Sequence, residues 1–211
     1  IGEGKNAMAD GLAQGGRSLQ KEFPNRSEPA QLLLAAAFRS DPVGAAPLSK
    51  DILDAPNRGR VTADTESLVA KLFLKVRPVG LQLTSIEKAK IDLRNFKGKV
   101  VLLHFWSLTS FEAQKQNIAV KNAFHKYHSQ GLEVIGITFE PTDALVREFV
   151  RRGDISWPQV VHTPSGSAKP WREYGIDALP VIWLIDRKGF LREEVLNIEV
   201  TKKLETLLAE P

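Results

Sequence analysis

The segment KVVLLHFWSLTSFEAQ, residues 99–114, gathers the groups of this sequence best spaced to do chemistry. A β-branched apolar run ends in Phe105–Trp106, a short polar turn follows, and Phe111 opens a helical pattern. A strand, turn and helix in this order set a side chain at a helix amino terminus, where unpaired N–H groups and the helix dipole favour negative charge. That position suits a thiolate. Yet none of the 211 residues is a cysteine, which excludes thiol nucleophiles, disulfides and thiolate metal sites. The compartment stays open, because a chain without thiols is safe in either redox environment.

Two other chemistries can be set against the same residues. Ser110 could act as a hydrolytic nucleophile with His104 nearby, but the stretch lacks the Gly-x-Ser-x-Gly elbow, and His104 should point away from the turn or into the core. His125 and His128 lie i, i+3 in HKYH, a spacing that can share a metal ion. No third ligand of suitable type is near them in sequence, so a solvated helix face is expected, with no metal or other cofactor. Trp157 and Trp171 read as packing residues.

The elements that must position the turn follow from periodicity. VVLLHF and LEVIGITF are continuous apolar runs, as expected of strands buried on both faces. Between them a helix is predicted over about 111–130, with Ala113, Ile118, Ala119, Ala123 and Phe124 as apolar positions and Gly131 as its stop. TDALVREFVRRG reads as a helix with Thr142 as N-cap and Gly153 as stop. LQLTSI and KIDL form short strands, FKGK a turn and PQVV a strand. SAKPWREYG forms a short helix, VIWLID and FLREEV a hairpin, and about 199–208 a final amphipathic helix. The β-α-β-α-β order implies a mixed sheet with helices on both faces and a site at the carboxyl ends of its strands, where WSLTS lies. Residues 1–77 read instead as a helical region. Ser27 would cap a helix from Glu28, a second starts near Ser49, and Leu68, Leu72 and Val76 form a stripe in a third.

Composition excludes several classes. Hydrophobic residues make up 43% and charged residues 26%, as in soluble globular chains. The longest purely apolar run, Leu32–Phe38, is far shorter than the roughly 20 residues of a membrane span. The net charge of +4 is dispersed, without a basic block that would suggest a nucleic-acid partner. The first residue is Ile1, as expected of a processed or trimmed chain.

Residues 78–211 resemble the thioredoxin-fold TlpA/ResA-like thiol-disulfide oxidoreductases of the AhpC/TSA superfamily. The resemblance is carried by IDLRNFKGKVVLLHFW, KYHSQGLEVIGITFE, ISWPQVV and YGIDALPVIWLIDRKG in that order. It implies a thioredoxin-like domain over 78–211. Members read FWATWCxxCxxELP after the strand. An ungapped alignment sets Ser110 and Ala113 at the two cysteines, Gln116 at the glutamate and Ile118 at the proline. The alternative register, Ser107 and Ser110, needs a three-residue gap. The Thr-x-x-Cys of the peroxiredoxin branch is also missing, since Glu112 stands three residues after Thr109. The resemblance further implies a cis Leu179–Pro180 bond facing the turn, and a peptide-sized groove made by Trp106, Phe111, Glu112, Leu179 and Pro180. His104 takes a place that is often acidic in such chains.

With no catalytic residue left, the expectation is a redox-inactive binding or scaffold module with a protein or peptide partner, extracytoplasmic by analogy with the family. The alternative is a thiol-disulfide oxidoreductase of this type whose cysteines have been replaced by design. The further departures at Gln116 and Ile118 favour natural loss.

Overall fold

In the computed structural model the described residues are 3–24, 26, 28–40, 77–162, 178–195 and 200–210, with 45, 47, 48, 51, 52, 74, 175 and 176. The chain divides into two compact units, Ile1–Val76 with Glu173–Gly175, and Arg77–Arg172 with Ile176–Pro211. Among the described residues no helix is long and apolar enough to cross a membrane.

The first unit contains a helical pair, α1 (Glu3–Glu22) and α2 (Glu28–Arg39). Small residues let the two approach. Gly16 faces Leu33 so closely that a Cβ would meet its side chain at 2.9 Å. Ala13, Leu33, Leu34, Ala36 and Ala37 form a core with Ala45, Leu48 and Ile52. Arg17 reaches Asp51 at 2.8 Å. The expected cap Ser27, the start at Ser49 and the stripe of Leu68, Leu72 and Val76 lie outside the described residues.

The second unit opens with an antiparallel hairpin, β1 (Gln82–Thr84) and β2 (Lys90–Asp92), followed by a 3-10 turn over Leu93–Phe96. A five-stranded sheet follows. Its strands are β3 (Val100–Trp106), β4 (Leu132–Thr138), β5 (Gln159–Val161), β6 (Val181–Ile185) and β7 (Leu191–Val195), in the order β5-β4-β3-β6-β7. The helices are α3 (Phe111–Tyr127), α4 (Asp143–Gly153) and α5 (Val200–Ala209). β3 pairs parallel with β4 and antiparallel with β6, so the sheet is mixed.

Alternation along the strands divides the core. Val100 and Leu102, with Leu132, Val134, Ile182 and Leu184, pack against Val120, Ala123 and Tyr127 of α3 and Val200, Leu204 and Leu207 of α5. Trp106, on the same face at the end of β3, packs with Ala113 of α3, Val146 and Phe149. All three described helices of this unit thus cover one face. The opposite face, with Val101, Leu103, Phe105 and Trp183, is buried to the same degree, and Phe105 meets Trp183 edge-on at 4.8 Å. The stretch predicted as a helix at SAKPWREYG, with Trp171, lies outside the described residues except for Gly175, which is a turn.

Three local expectations are corrected. Ile118 is 65% exposed, while Gln116 and Asn117 turn inward. Helical periodicity sets Ala113, Gln116, Asn117, Val120, Ala123 and Tyr127 on one stripe, so the polar pair is buried because of its position. The α-helix also ends at Tyr127, with a 3-10 turn carrying the chain to Gly131 at φ +98°. Finally, α4 runs through Gly153, and Asp154 takes the left-handed turn, which a short polar side chain tolerates.

The end of α5 is held by one side chain. Arg187 donates to the carbonyls of Leu208 at 3.0 Å and Glu210 at 3.1 Å, and to that of Gly98 at 2.7 Å. A guanidinium there satisfies helix-end carbonyls and complements the negative end of the dipole. Arg187→Ala should lower the unfolding free energy by about 1–3 kcal/mol, the range for losing hydrogen bonds to a charged group. Denaturant unfolding would measure it, and an unchanged midpoint would show the staple to be inert.

Candidate functional site: a turn without thiols

β3 delivers the chain to the turn with no slack. All seven of its residues are buried, and hydrogen-bonded neighbours fix both edges. The turn then closes with the Ser110 amide donating to the Ser107 carbonyl at 3.3 Å. Glu140, just past the end of β4, braces it. One carboxylate oxygen accepts from the Leu108 amide at 2.7 Å and from the Ser107 hydroxyl at 2.9 Å.

Ser110 is the N-cap of α3. Its backbone is extended, and its hydroxyl accepts from the Ala113 amide at 3.2 Å. Glu112 lies in the first turn, where a negative charge complements the dipole. Both serines of the SLTS turn are therefore structural: Ser107 is held by Glu140, and Ser110 satisfies the helix start. Ala113 is completely buried. Neither Ser110 nor Ala113 carries a group able to exchange electrons with a disulfide.

Beneath the turn lies a buried polar layer. His104 is fully buried, with Nε2 3.2 Å from Oε1 of Gln116. Burial penalises the imidazolium, and the Gln116 hydrogen bond offsets this only in part, so the pKa falls from 6.5 to about 4. The imidazole is thus neutral at pH 7, and its Nδ1 has no hydrogen-bond partner among the described residues. Burial makes the ring a weaker base, and among the described residues no hydrogen bond joins it to Ser110, whose hydroxyl caps the helix. Beside this pair, Trp106 donates from Nε1 to Oε1 of Gln159 at 3.2 Å, and Gln159 donates to the Trp157 carbonyl at 3.3 Å. Gly136 makes this possible, because a methyl group there would overlap the Gln159 carboxamide.

The predicted groove residues separate by burial. Trp106 is 1% exposed and forms the floor, so it cannot touch a peptide, contrary to expectation. Its indole is spent on Phe149, at 4.8 Å, and on Gln159. Phe111 is 67% exposed, with Lys115 Nζ 4.6 Å from its ring centroid, and Glu112 is exposed and paired with Lys115. Leu179 is half-buried and Pro180 buried, and the bond between them is cis. Because Val181 is the register partner of Phe105, Leu179–Pro180 runs beside the start of the turn. The histidines of HKYH stand apart. His125 meets the Phe124 ring at 6.2 Å, and His128 Nδ1 lies 2.9 Å from the Leu132 carbonyl. Among the described residues no three potential ligands converge as a metal site. Trp157 packs on Phe124 at 5.4 Å.

Sequence reasoning missed Glu140, Gln159 and Gly136. Glu140 left a readable sign, an acidic residue immediately after the second apolar run. The other two left none, because their roles depend on which strands become neighbours.

Comparison with known proteins now decides the family. The AhpC/TSA family model matches residues 78–194, more than half of the chain. The chain belongs to the AhpC/TSA family. A thiol-disulfide oxidoreductase ResA from Bacillus thuringiensis subsp. konkukian is 31% identical over 125 residues, covering 59% of this chain and 70% of the relative. The thioredoxin domain of a thiol-disulfide oxidoreductase from Bacteroides vulgatus superposes with a TM-score of 0.56 at 18% identity, covering 62% of this chain and 94% of that one. A thiol:disulfide interchange protein from a Bacteroides species gives 0.55 at 18% identity, covering 63% and 88%. The fold of the second unit is thioredoxin-like, and this AhpC/TSA member has no thiol with which to perform the exchange for which those proteins are named.

Two outcomes are expected. Between pH 6.5 and 4 the unfolded state binds a proton that native His104 refuses, so stability is present above pH 6.5 and lost as pH falls towards 4. The loss is on the order of 3 kcal/mol for a shift of this size. Between pH 6.5 and 4 the protein should lose that much more unfolding free energy than His104→Leu does, and parallel curves would contradict the buried neutral ring. Separately, Ser110→Cys with Ala113→Cys should form an intramolecular disulfide under mild oxidation, detectable by mass and thiol counting. A double variant that keeps two free thiols would contradict the alignment at this turn.

Proposed function

We propose that this chain is a redox-inactive member of its family that binds a protein or peptide segment at the former redox turn. The carrying observation is that the Ser110 hydroxyl is committed to capping α3 while Phe111, the next residue, is 67% exposed. A spent hydroxyl removes reactivity, and an exposed aromatic beside a rigid turn provides an anchor of the kind that dominates protein interfaces. Ile118, two turns along α3 and 65% exposed, extends the apolar stripe, with half-buried Leu108 and Leu179 at its other end. An extended segment lying along Leu179–Pro180 fits the strand-like recognition expected at such a loop.

The buried His104–Gln116 pair favours natural loss over replacement of two thiols in an otherwise working enzyme. Both members are neutral and face each other, so the pair sets an imidazole and a carboxamide, not a carboxylate, below the turn. An extracytoplasmic setting belongs to the same proposal, and a chain free of thiols is compatible with an oxidising compartment.

Two measurements test it. In an insulin reduction assay the protein should give no turnover above background, and clear turnover would refute the redox-inactive half. In an NMR titration with a reduced and alkylated insulin B chain, amides of residues 107–112 and 178–179 should shift. Phe111→Ala should weaken binding by about tenfold, the effect of losing an anchor worth 1.4 kcal/mol. Shifts elsewhere, or none, would refute the binding half.

A further inference from the structure

The second unit has a groove at the end of the sheet away from the SLTS turn, where β3 begins and the β6–β7 turn closes. It is a cleft of about 530 Å³ lined by Pro78, Val79, Leu93, Arg94, Lys97, Lys188, Gly189 and Phe190. This size lies within the range of small-molecule pockets, about 300–1,000 Å³. We propose that it binds a small amphipathic organic anion, a carboxylate carried on an apolar body.

Its walls are preformed. The Val79 amide donates to the Gly189 carbonyl at 2.7 Å, and the Leu93 amide to the Leu81 carbonyl at 3.0 Å, which fixes the two sides. Gly189 adopts φ +91°, a conformation few other residues take, and it lies against Pro78. The turn beneath is organised by Asp186, which accepts from the amides of Lys188 and Phe190, both at 2.9 Å. The backbone of the walls need not be ordered when a ligand enters, which lowers one cost of binding.

The charge is equally defined. Asp186 is spent on the turn and on Arg192 at 3.0 Å, and Asp92 is spent on Arg94. Those carboxylates are neutralised by their own partners. Lys97 and Lys188 are exposed and make no ion pair among the described residues. The groove therefore offers buried Val79 and Leu93 with half-buried Phe190 as an apolar floor, and two uncompensated ammonium groups at its rim. A neutral apolar ligand would leave the ammonium groups unused, and a compact anion would leave the floor bare. An apolar body ending in one carboxylate uses both. This site shares no residue with the SLTS turn, so it stands or falls separately from the proposed function.

The test is an NMR titration of the full chain with octanoate, with octanol, acetate and tetraglutamate as comparisons. Octanoate should shift the amides of Val79, Leu93, Gly189 and Phe190 saturably, and more tightly than any of the other three. Lys97→Ala with Lys188→Ala should weaken octanoate by about fivefold, in keeping with the modest worth of exposed charges, at an unchanged thermal midpoint. The proposal is overturned by octanol binding as tightly as octanoate, by tetraglutamate binding more tightly (which would mark an acidic-peptide surface), by shifts away from the groove or none at millimolar octanoate, or by a double variant that binds as the parent does.

Discussion

Strand β3 is hydrogen-bonded along both edges and buried on both faces, and the rest of the second unit is arranged around that constraint. A strand without a free edge or a wet face cannot slide, since a one-residue slip would turn its core side chains to the wrong side. Its carboxyl end is therefore a fixed point. The turn at 107–110 leaves from it, α3 starts directly after at Phe111 under the Ser110 cap, and Leu179–Pro180 arrives beside it because Val181 pairs with Phe105. Glu140 reaches the turn only because β4 pairs with β3 in parallel and ends at the same level.

Such an arrangement is costly to make and would be expected to position a reactive group. Here it positions no thiol. Within the turn Ser107 and the Leu108 amide bond to Glu140, and Ser110 bonds to the Ala113 amide. The layer below is polar but neutral, with His104 kept uncharged by burial and matched to the uncharged carboxamide of Gln116. Related proteins named as thiol-disulfide oxidoreductases share the frame. The same turn leaves an aromatic, Phe111, exposed to solvent beside the bonded Ser107 and Ser110.

Much of the fold was legible in the linear sequence because it follows from short-range periodicity. The continuous apolar runs marked β3 and β4, the turn residues marked the β6–β7 hairpin, and the absence of cysteine ruled out thiol exchange without any coordinates. The reading failed where a residue's role depended on a distant neighbour. Ile118 looked like a core residue by composition, yet the phase of the helix sends it to solvent and Gln116 inward. Trp106 looked like a groove residue by its place beside the turn, yet α4 covers it.

The sequence by itself thus determined the elements, the family frame and the absence of thiols, since each is written in local spacing or in residue types. Only the tertiary structure decided what the polar residues do. Glu140 lies 32 positions from the amide it holds, and Gln159 lies 53 from the indole it meets across Gly136. Contacts over such separations are set by strand order and register, which no local pattern encodes. The basic groove is of the same kind, because Pro78, Leu93 and Lys188 become neighbours only when the sheet closes.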